Sequence, residues 1–495
     1  MKAIVIKPVA HYISRQIQKQ AATAIEDQES IFQSLINKGS QTAFGKDHQL
    51  SKVKTHDDFC QKVPIRDYEG LKSYFDQVKD GAADILWPGK PRYLAKTSGT
   101  TSGIKYIPIT DASISNHIHT ARNALLNLTS IRKDTTIFNG KMIFLSGSPT
   151  LSKVGGISTG RLSGIVNHEI PAWVKGNQLP SYETNCIEEW ESKLEAVVKE
   201  THDQDLRVIS GIPPWVQMYF ERLISYTGKA TIKDIFPNLS LFVYGGVNYE
   251  PYRNSIESLI GERIDSLETY PASEGFIAYQ DQLKNDGLLL NTRSGIFFEF
   301  VPADQIFEED PERFTLAEVE LSKDYAIIIN SNAGLWGYNL GDTVRFTSLD
   351  PYKIVVSGRI KHFISAFGEH VIAKEVEAAI SIIGQKHKLR VNEFTVAPMV
   401  NPSDQSLPYH EWIIEFQEKP ADLTQISREL DEVMTHQNIY YQDLIAGNIL
   451  RPLEINAVTK GTFQRYMESL GKLGGQNKVP RLSNDRKIAD LLLKS

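Results

Sequence analysis

Apolar residues recur at helical spacing from residue 11 to residue 37, where Ile13, Ile17, Ala21, Ile25, Ile31, Phe32 and Leu35 make one stripe. Two short helical patterns follow between 57 and 87, separated by VPIRDYEG. The period then changes. RYLAK is a run of β-type residues that empties into TSGTTSG at 97–103, and IKYIPI is apolar again around one lysine. The spacing predicts a helix from about Asp111 through Leu128. KMIFLSGS reads as a short buried strand closing in a Gly-Ser turn, and IEEWESKLEAVVKETH as an amphipathic helix. LRVISGIPPWVQMYFERL reads as a strand, a Pro-Pro break and a helix.

LSLFVYGGVNYEP is a strand running into Gly245-Gly246, and IDSLETYPASEGFIAYQ repeats the pattern of strand, turn and polar cluster. GIFFEFVPA, LAEVELSKDYAIIINSNAG and TVRFTSLDPYKIVVSG are rich in strand signals. After Ser357-Gly358 the pattern resets to a helix near Glu375 to Ile383 and strands near Glu393 to Pro398 and at HEWIIEFQ. A helix near Leu423 to Thr435 completes that set. The expected fold is α/β: a large N-terminal domain, 1–357, of mixed sheets with helices and a β-rich part, and a small α+β C-terminal domain, 358–495. Ligands of such sheets gather where strands end in loops, so the polar clusters at strand ends point towards one site.

Composition narrows the classes. A chain of 495 residues exceeds what one core usually organises. The net charge of −6, with no basic stripe, disfavours a nucleic-acid partner. Two distant cysteines, Cys60 and Cys186, exclude a disulfide scaffold and a cysteine zinc cluster, and suit a reducing cytoplasm. The amino-terminal segment lacks the apolar core of a secretory signal, and no window has the apolar length of a membrane helix. A cytoplasmic protein without a membrane partner is expected.

Four clusters carry candidate chemistry. Gly99 and Gly103 would let backbone amides approach an anion, Ser98, Thr100, Thr101 and Ser102 offer hydroxyls, and Lys105 adds charge. The spacing is not that of a Walker A loop, and a solvated surface loop has the same composition. In TYPASEG, Glu274 is a candidate Mg²⁺ ligand and Tyr270 a candidate purine stack, with Ser273 between them. A strand-end tyrosine with an exposed glutamate is the plainer alternative. Gly245 and Gly246 make room for a planar base or form a turn. Asp342, behind a glycine in GLWGYNLGDTVRF, suits ribose hydroxyls or a hairpin turn. Arg359 and Lys478 complete the set, the latter in a polar segment where lysines are usually solvated. The histidines make no metal-ligand spacing, and no Cys/His pair or Gly-x-Ser-x-Gly elbow is evident.

In order, TSGTTSGIKYIPIT, TYPASEG, GLWGYNLGDTVRF and SGRIKHF resemble the adenylate-forming superfamily of acyl and aryl ligases. TAFGKDH, VPIRDYEGLKSYFDQV, FFEFVPA, SAFGEHV and GTFQRYMESLGKLGGQNKVPRL narrow this. They resemble the acyl-acid amido synthetases first described as auxin-responsive proteins in plants, a family with bacterial members, of which this chain would be one. The resemblance spans about residues 40 to 485. It implies ATP-dependent activation of a carboxylic acid to an acyl-adenylate, with transfer to the amine of an amino acid. By the same resemblance Ser98 to Gly103 hold the ATP phosphates, and Tyr270 to Glu274 form the adenine and Mg²⁺ segment with Glu274 as metal ligand. Asp342 holds the ribose, Arg359 sits at a hinge, and Lys478 reaches the α-phosphate from a mobile C-terminal domain.

This chain departs from the family pattern in having His370 where a lysine is common, and Gly337 and Asn339 where arginines are common. By analogy the helix at 113–128 lines an acyl pocket, through Asn116, His117, His119 or Arg122, with Trp173 and Met218 as candidate walls. An acyl-CoA ligase shares the first half-reaction and is the competing enzyme reading. A non-catalytic nucleotide-binding protein is the competing reading from another class.

Overall fold

The computed structural model describes residues 2–98, 104–170, 175–188, 190–246, 249–284, 286–360, 363–364, 371–400, 402–404, 406–446, 450–470, 479–483 and 486–494. By internal packing the chain forms two compact units. One comprises Met1–Val247 with Glu262–Val356, the other Asn248–Gly261 with Ser357–Ser495.

The first unit is a mixed α/β body. Gln178–Leu179, Lys141–Phe144, Leu206–Ser210, Leu241–Gly245 and Asp265–Ala272 run parallel to their neighbours. Their apolar runs are buried, as strands covered on both faces require. Gly275–Gln280 turns back antiparallel and Leu288–Leu290 follows. Tyr352–Arg359, Leu335–Leu349, Asp324–Ser331 and Ile296–Pro302 continue the same sheet. A second sheet orders Ile104–Ile109, Tyr93–Ser98, Ile157–Gly160 and Ser152–Val154.

The single apolar stripe expected at 11–37 is two helices, Lys2–Ala21 and Ala24–Gly39. They serve different cores. Ala10 and Ile17 pack with Leu128, Phe138 and Leu241, whereas Phe32, Leu35 and Ile36 pack with Phe59, Phe297 and Trp336. Gln28 fixes the second helix to the sheet. Its Nε2 donates to the carbonyls of Thr292 (2.8 Å) and Ile296 (2.9 Å), while its oxygen accepts from the Phe298 N–H (2.9 Å). Every polar atom of this buried side chain is thereby used.

The second unit is a three-stranded sheet of Val391–Met399, Tyr409–Phe416 and Glu454–Val458. Side-chain alternation divides its faces. Phe394, Val396, Trp412 and Ile414 meet the helices Ala373–His387 and Leu423–Gln437, while Ala397 and Ile413 meet Phe463, Tyr466 and Leu492. The helix Glu250–Ile260 packs in this unit although a strand of the first sheet precedes it. Arg481 explains the attachment: it stacks on Phe394 at 4.6 Å, pairs with Glu393, and donates to the Tyr252 hydroxyl at 2.8 Å. Nothing in the sequence pattern announced this placement. Among the described residues, no helix is long and apolar enough to cross a membrane.

Candidate active site

Tyr93–Ser98 and Ile104–Ile109 form an antiparallel hairpin with Ser98 opposite Ile104, so residues 99–103 are its connection. Gly99, Thr100, Thr101, Ser102 and Gly103 lie outside the described residues, as do Trp173, His370 and Lys478. Ser98 and Arg359 are placed by their backbones alone, each at the end of its strand. Lys105 stands opposite Thr97, with Nζ 5.7 Å from the centre of the Tyr68 ring.

Glu274 sits with Ser273 at a two-residue tip, because Ala272 pairs with Gly275 across the hairpin. The return strand is anchored by Asn116, which accepts from the Phe276 N–H at 2.6 Å and donates to the Phe276 carbonyl at 3.3 Å. This amide is therefore committed to the sheet rather than to a ligand pocket. Glu274 accepts a 3.1 Å hydrogen bond from the Tyr338 hydroxyl. Burial raises the Glu274 pKa, the charge of Lys105 opposes that rise, and the charge of Asp342 adds to it. Burial and Glu274 together push the Tyr338 phenol well above its ordinary value. From the strand that leads into this tip, the Tyr270 hydroxyl donates to Asp342 Oδ2 at 2.5 Å. Asp342 is 5% exposed.

Tyr270, Glu274, Tyr338, Asp342 and Lys105 thus form one electrostatic group, with Glu274 at a hairpin tip and Asp342 within the strand Leu335–Leu349 rather than at its end. Two buried carboxylates, Glu274 within reach of the Lys105 charge and of Asp342, are hard oxygen donors of the type that hold Mg²⁺, and the set fits a metal-nucleotide. The glycines have local explanations as well. A Cβ on Gly245 would stand 2.4 Å from the Thr269 carbonyl oxygen, so close strand approach demands glycine there. Gly246 turns with φ +73°, a left-handed backbone. Gly337, at φ +54°, is likewise constrained, since its Cβ would meet the Pro64 carbonyl oxygen at 2.7 Å. Arg66 bonds beside it, its N–H to the Gly337 carbonyl and its carbonyl to the Asn339 N–H. The departure from arginine at 337 therefore follows from a segment packed against that backbone.

The helix Ile114–Arg132 carries the other expected pocket residues. His117 is 4% exposed, its Nδ1 has no partner, and burial pulls its pKa down to about 4, so it is neutral near pH 7. Burial and Arg122 also lower His119. Arg122 itself donates to Asn123 at the surface.

One cluster escaped the sequence reading, which found no Cys/His pair. The helix His56–Lys62 places Cys60 Sγ 3.4 Å from His56 Nε2, and that nitrogen lies 2.7 Å from Glu299 Oε1. The (i, i+4) spacing of HDDFC was the available signal for the pair, but Glu299 arrives from a distant strand. These three groups have the proximity of metal ligands. Glu299 is nevertheless saturated: Arg313 grips both oxygens at 2.9 and 2.7 Å, and Asn330 donates at 2.7 Å. A guanidinium on the carboxylate makes this a buried ion-pair network rather than a cation site.

Comparison with known proteins places these features in a family. Models of the GH3 family N-terminal domain, central domain and C-terminal domain match residues 13–171, 289–359 and 374–487. Among curated relatives, the indole-3-acetic acid-amido synthetase GH3.3 of Arabidopsis thaliana is 30% identical over 40% of this chain and 35% of its own length. A second Arabidopsis relative, GH3.1, is matched over 34% of its length, so these two alignments span about a third of each relative. The jasmonoyl–L-amino acid synthetase JAR4 of Nicotiana attenuata is 22% identical over 92% of this chain and 90% of its own. The solved GH3.15 acyl acid amido synthetase in complex with 2,4-DB superposes with a TM-score of 0.81, 16% identity, and coverage of 98% and 96%. A 2-hydroxyisobutyryl-CoA ligase in complex with an acyl-AMP superposes with a TM-score of 0.60, 13% identity, and coverage of 98% and 92%. These likenesses show an adenylate-forming fold, and the three domain models together establish that the chain belongs to the GH3 family.

Proposed function

We propose that this protein activates a carboxylic acid with ATP, releasing pyrophosphate, and transfers the acyl group to the amine of an amino acid. The observation that carries this reading is the Tyr270–Asp342 and Tyr338–Glu274 pairing in a chain of this family. A carboxylate nucleophile has no difficult proton to lose, so the first step needs no general base. The obstacle is an anion attacking a triphosphate, and positioned positive charge answers it.

In this scheme Ser98 to Gly103 and Lys105 hold the phosphates, and Gly245, Gly246, Tyr270 and Ser273 border the base. Glu274 would hold Mg²⁺, which when bound neutralises charge developing on the phosphates. Asp342, held by Tyr270, accepts from the ribose hydroxyls. Arg359 lies at the boundary near Val356–Ser357, and Lys478 acts on the α-phosphate. The large and small units serve as adenylation domain and reorienting domain. Two free cysteines suit a reducing cytoplasm. The structural likeness to a CoA ligase supports coenzyme A as the alternative acceptor.

The test is pyrophosphate release from MgATP over aryl, indolyl and aliphatic acids, alone, with mixed amino acids and with coenzyme A, the products identified by mass. An N-acyl amino acid supports the proposal. An acyl-CoA product transfers the chain to the alternative. ATP binding without turnover of any acid points to a protein that only binds nucleotide.

A further inference from the structure

Arg161 and Lys193 are two positive charges that the adenylation scheme leaves unused. The strand Ile157–Gly160 runs parallel to Tyr93–Ser98 with Ala95 opposite Gly160. Arg161 therefore leaves its strand at the end from which the 98–103 hydroxyl segment also leaves. Its side chain lies over Gly147, where an added Cβ would stand 2.6 Å from Nη1 and 2.8 Å from Cδ. Gly147 belongs to the turn after Lys141–Phe144, a parallel strand of the other sheet. Lys193, from the helix Trp190–Thr201, is 4% exposed and donates to the carbonyls of Ser146 (2.8 Å) and Asn185 (2.7 Å). Consecutive turn residues, Ser146 and Gly147, thus each carry a cation. Carboxyl ends of parallel strands from both sheets meet there, where open α/β sheets bind ligands.

The charge at this place is unbalanced. Among the described residues no carboxylate forms an ion pair with either cation, and the charge of Glu188 reaches Arg161 only from farther away. Burial pulls the Lys193 pKa down to about 8, with the charge of Arg161 acting in the same direction, and burial lowers Arg161 as well. Asn185 Oδ1 is buried without a partner, and Asn185 lines a small cavity with Lys193 and Ser146. An uncompensated buried charge is strongly unfavourable, and two of one sign more so, unless an anion joins them.

We propose that Arg161, backed by Lys193, is a subsite for the carboxylate of one of the two organic substrates. The assignment of that carboxylate to a substrate rests on the acyl-transfer reading; the recognition of a carboxylate does not. The guanidinium offers a planar fork matched to two carboxylate oxygens. Lys193 ties the turn that seats Arg161, through the Ser146 carbonyl, to the Asn185 carbonyl, and adds its charge behind it. The carboxylate belongs either to the acid awaiting activation or to the α-carboxylate of the acceptor amino acid.

The experiment compares wild type with Arg161→Gln and Arg161→Lys, all verified as folded by circular dichroism. KM is measured for the acid in pyrophosphate release without acceptor, for the amino acid in amide formation, and for ATP. The expected result in Arg161→Gln is a rise of about 10- to 100-fold in KM for one carboxylate substrate. Values of kcat and of KM for ATP should stay within about threefold, and Arg161→Lys should recover part of the loss, as a retained charge without the fork would. A rise for the acid identifies the acid, and a rise for the amino acid identifies the acceptor; both support the subsite. Unchanged KM values for both, or an equal rise for ATP, overturn it. If wild type turns over no acid, calorimetric titration with benzoate and with glutamate replaces kinetics. Binding by wild type that Arg161→Gln loses supports a carboxylate subsite even though the reaction is wrong. Binding of neither probe, or equal binding by both proteins, overturns it.

Discussion

The Tyr270 hydroxyl donates a 2.5 Å hydrogen bond to Oδ2 of Asp342, closing a contact between residues 72 apart in the chain. The bond turns a buried acid into an oriented one, because Oδ2 is held by a phenol from another strand of the sheet. Asp342→Asn should raise KM for ATP about 10- to 100-fold, as loss of a charge-assisted acceptor would. Tyr270→Phe should give a smaller rise in the same constant, since it loosens the acid without removing it. Pyrophosphate-release kinetics across ATP concentrations measure both. Equal affinity for ATP in Asp342→Asn removes the ribose role.

Glu274 tests the metal. Its carboxylate is desolvated, bonded by Tyr338 and opposed by Lys105. Glu274→Gln keeps the shape and the hydrogen bond but removes the charge that a divalent cation needs. The half-saturating Mg²⁺ concentration should rise at least about tenfold, and excess Mg²⁺ should restore part of the rate. Tyr338→Phe should move the same midpoint less. A Mg²⁺ titration of both variants decides this, and an unmoved midpoint in Glu274→Gln places the metal elsewhere.

Much of this arrangement was legible because it is local. Glu274 follows a strand whose apolar run marks it and Gly245 ends another, where turn residues fix the stop, whereas Asp342 lies inside the strand Leu335–Leu349 behind Gly341. The strand and helix set at 373–437 was legible for the same reason: its strands are short apolar runs, buried over most of their length, and its helix Leu423–Gln437 buries residues at helical spacing. What the sequence concealed depends on partners brought from afar. Glu299 reads as a polar residue inside FFEF, and only the fold supplies Arg313, Asn330 and His56 to it. The helix Glu250–Ile260 reads as the next element of the large domain, whereas Arg481 ties it to the other unit. Lys193 lies on a helix legible only as amphipathic, and it is buried with two carbonyls replacing its water.

Lys478 lies outside the described residues, so its role rests on the family resemblance and is open to direct test. Lys478→Ala should lower pyrophosphate release at least about a thousandfold while ATP affinity stays within a few fold. A group that acts mainly on the charge of the transition state changes kcat far more than ground-state binding. Calorimetric ATP binding alongside single-turnover adenylation separates the two. Normal adenylation in the variant removes Lys478 from the chemistry.

The network around Glu299 makes a prediction about stability and pH. Burial alone would lower His56, but Cys60 and Glu299 override it and raise its pKa from 6.5 to about 10. Burial alone would raise Glu299, but Arg313 and His56 override it and hold it down at about 2. A raised histidine stabilises the fold fully below its unfolded pKa and ceases to do so as pH climbs through about 10. A depressed glutamate contributes fully above its unfolded pKa of 4.5 and ceases to do so as pH falls towards about 2. The network therefore contributes most between about pH 4.5 and 6.5. Glu299→Gln strands the guanidinium of Arg313, 6% exposed, and should cost about 3–5 kcal/mol at pH 6 by urea unfolding. His56→Gln should cost less at pH 6, and its deficit relative to wild type should shrink steadily between pH 6.5 and 10. A deficit that stays constant over that range means His56 carries no proton in the folded protein above pH 6.5, and the charge on Glu299 is then balanced by Arg313 alone.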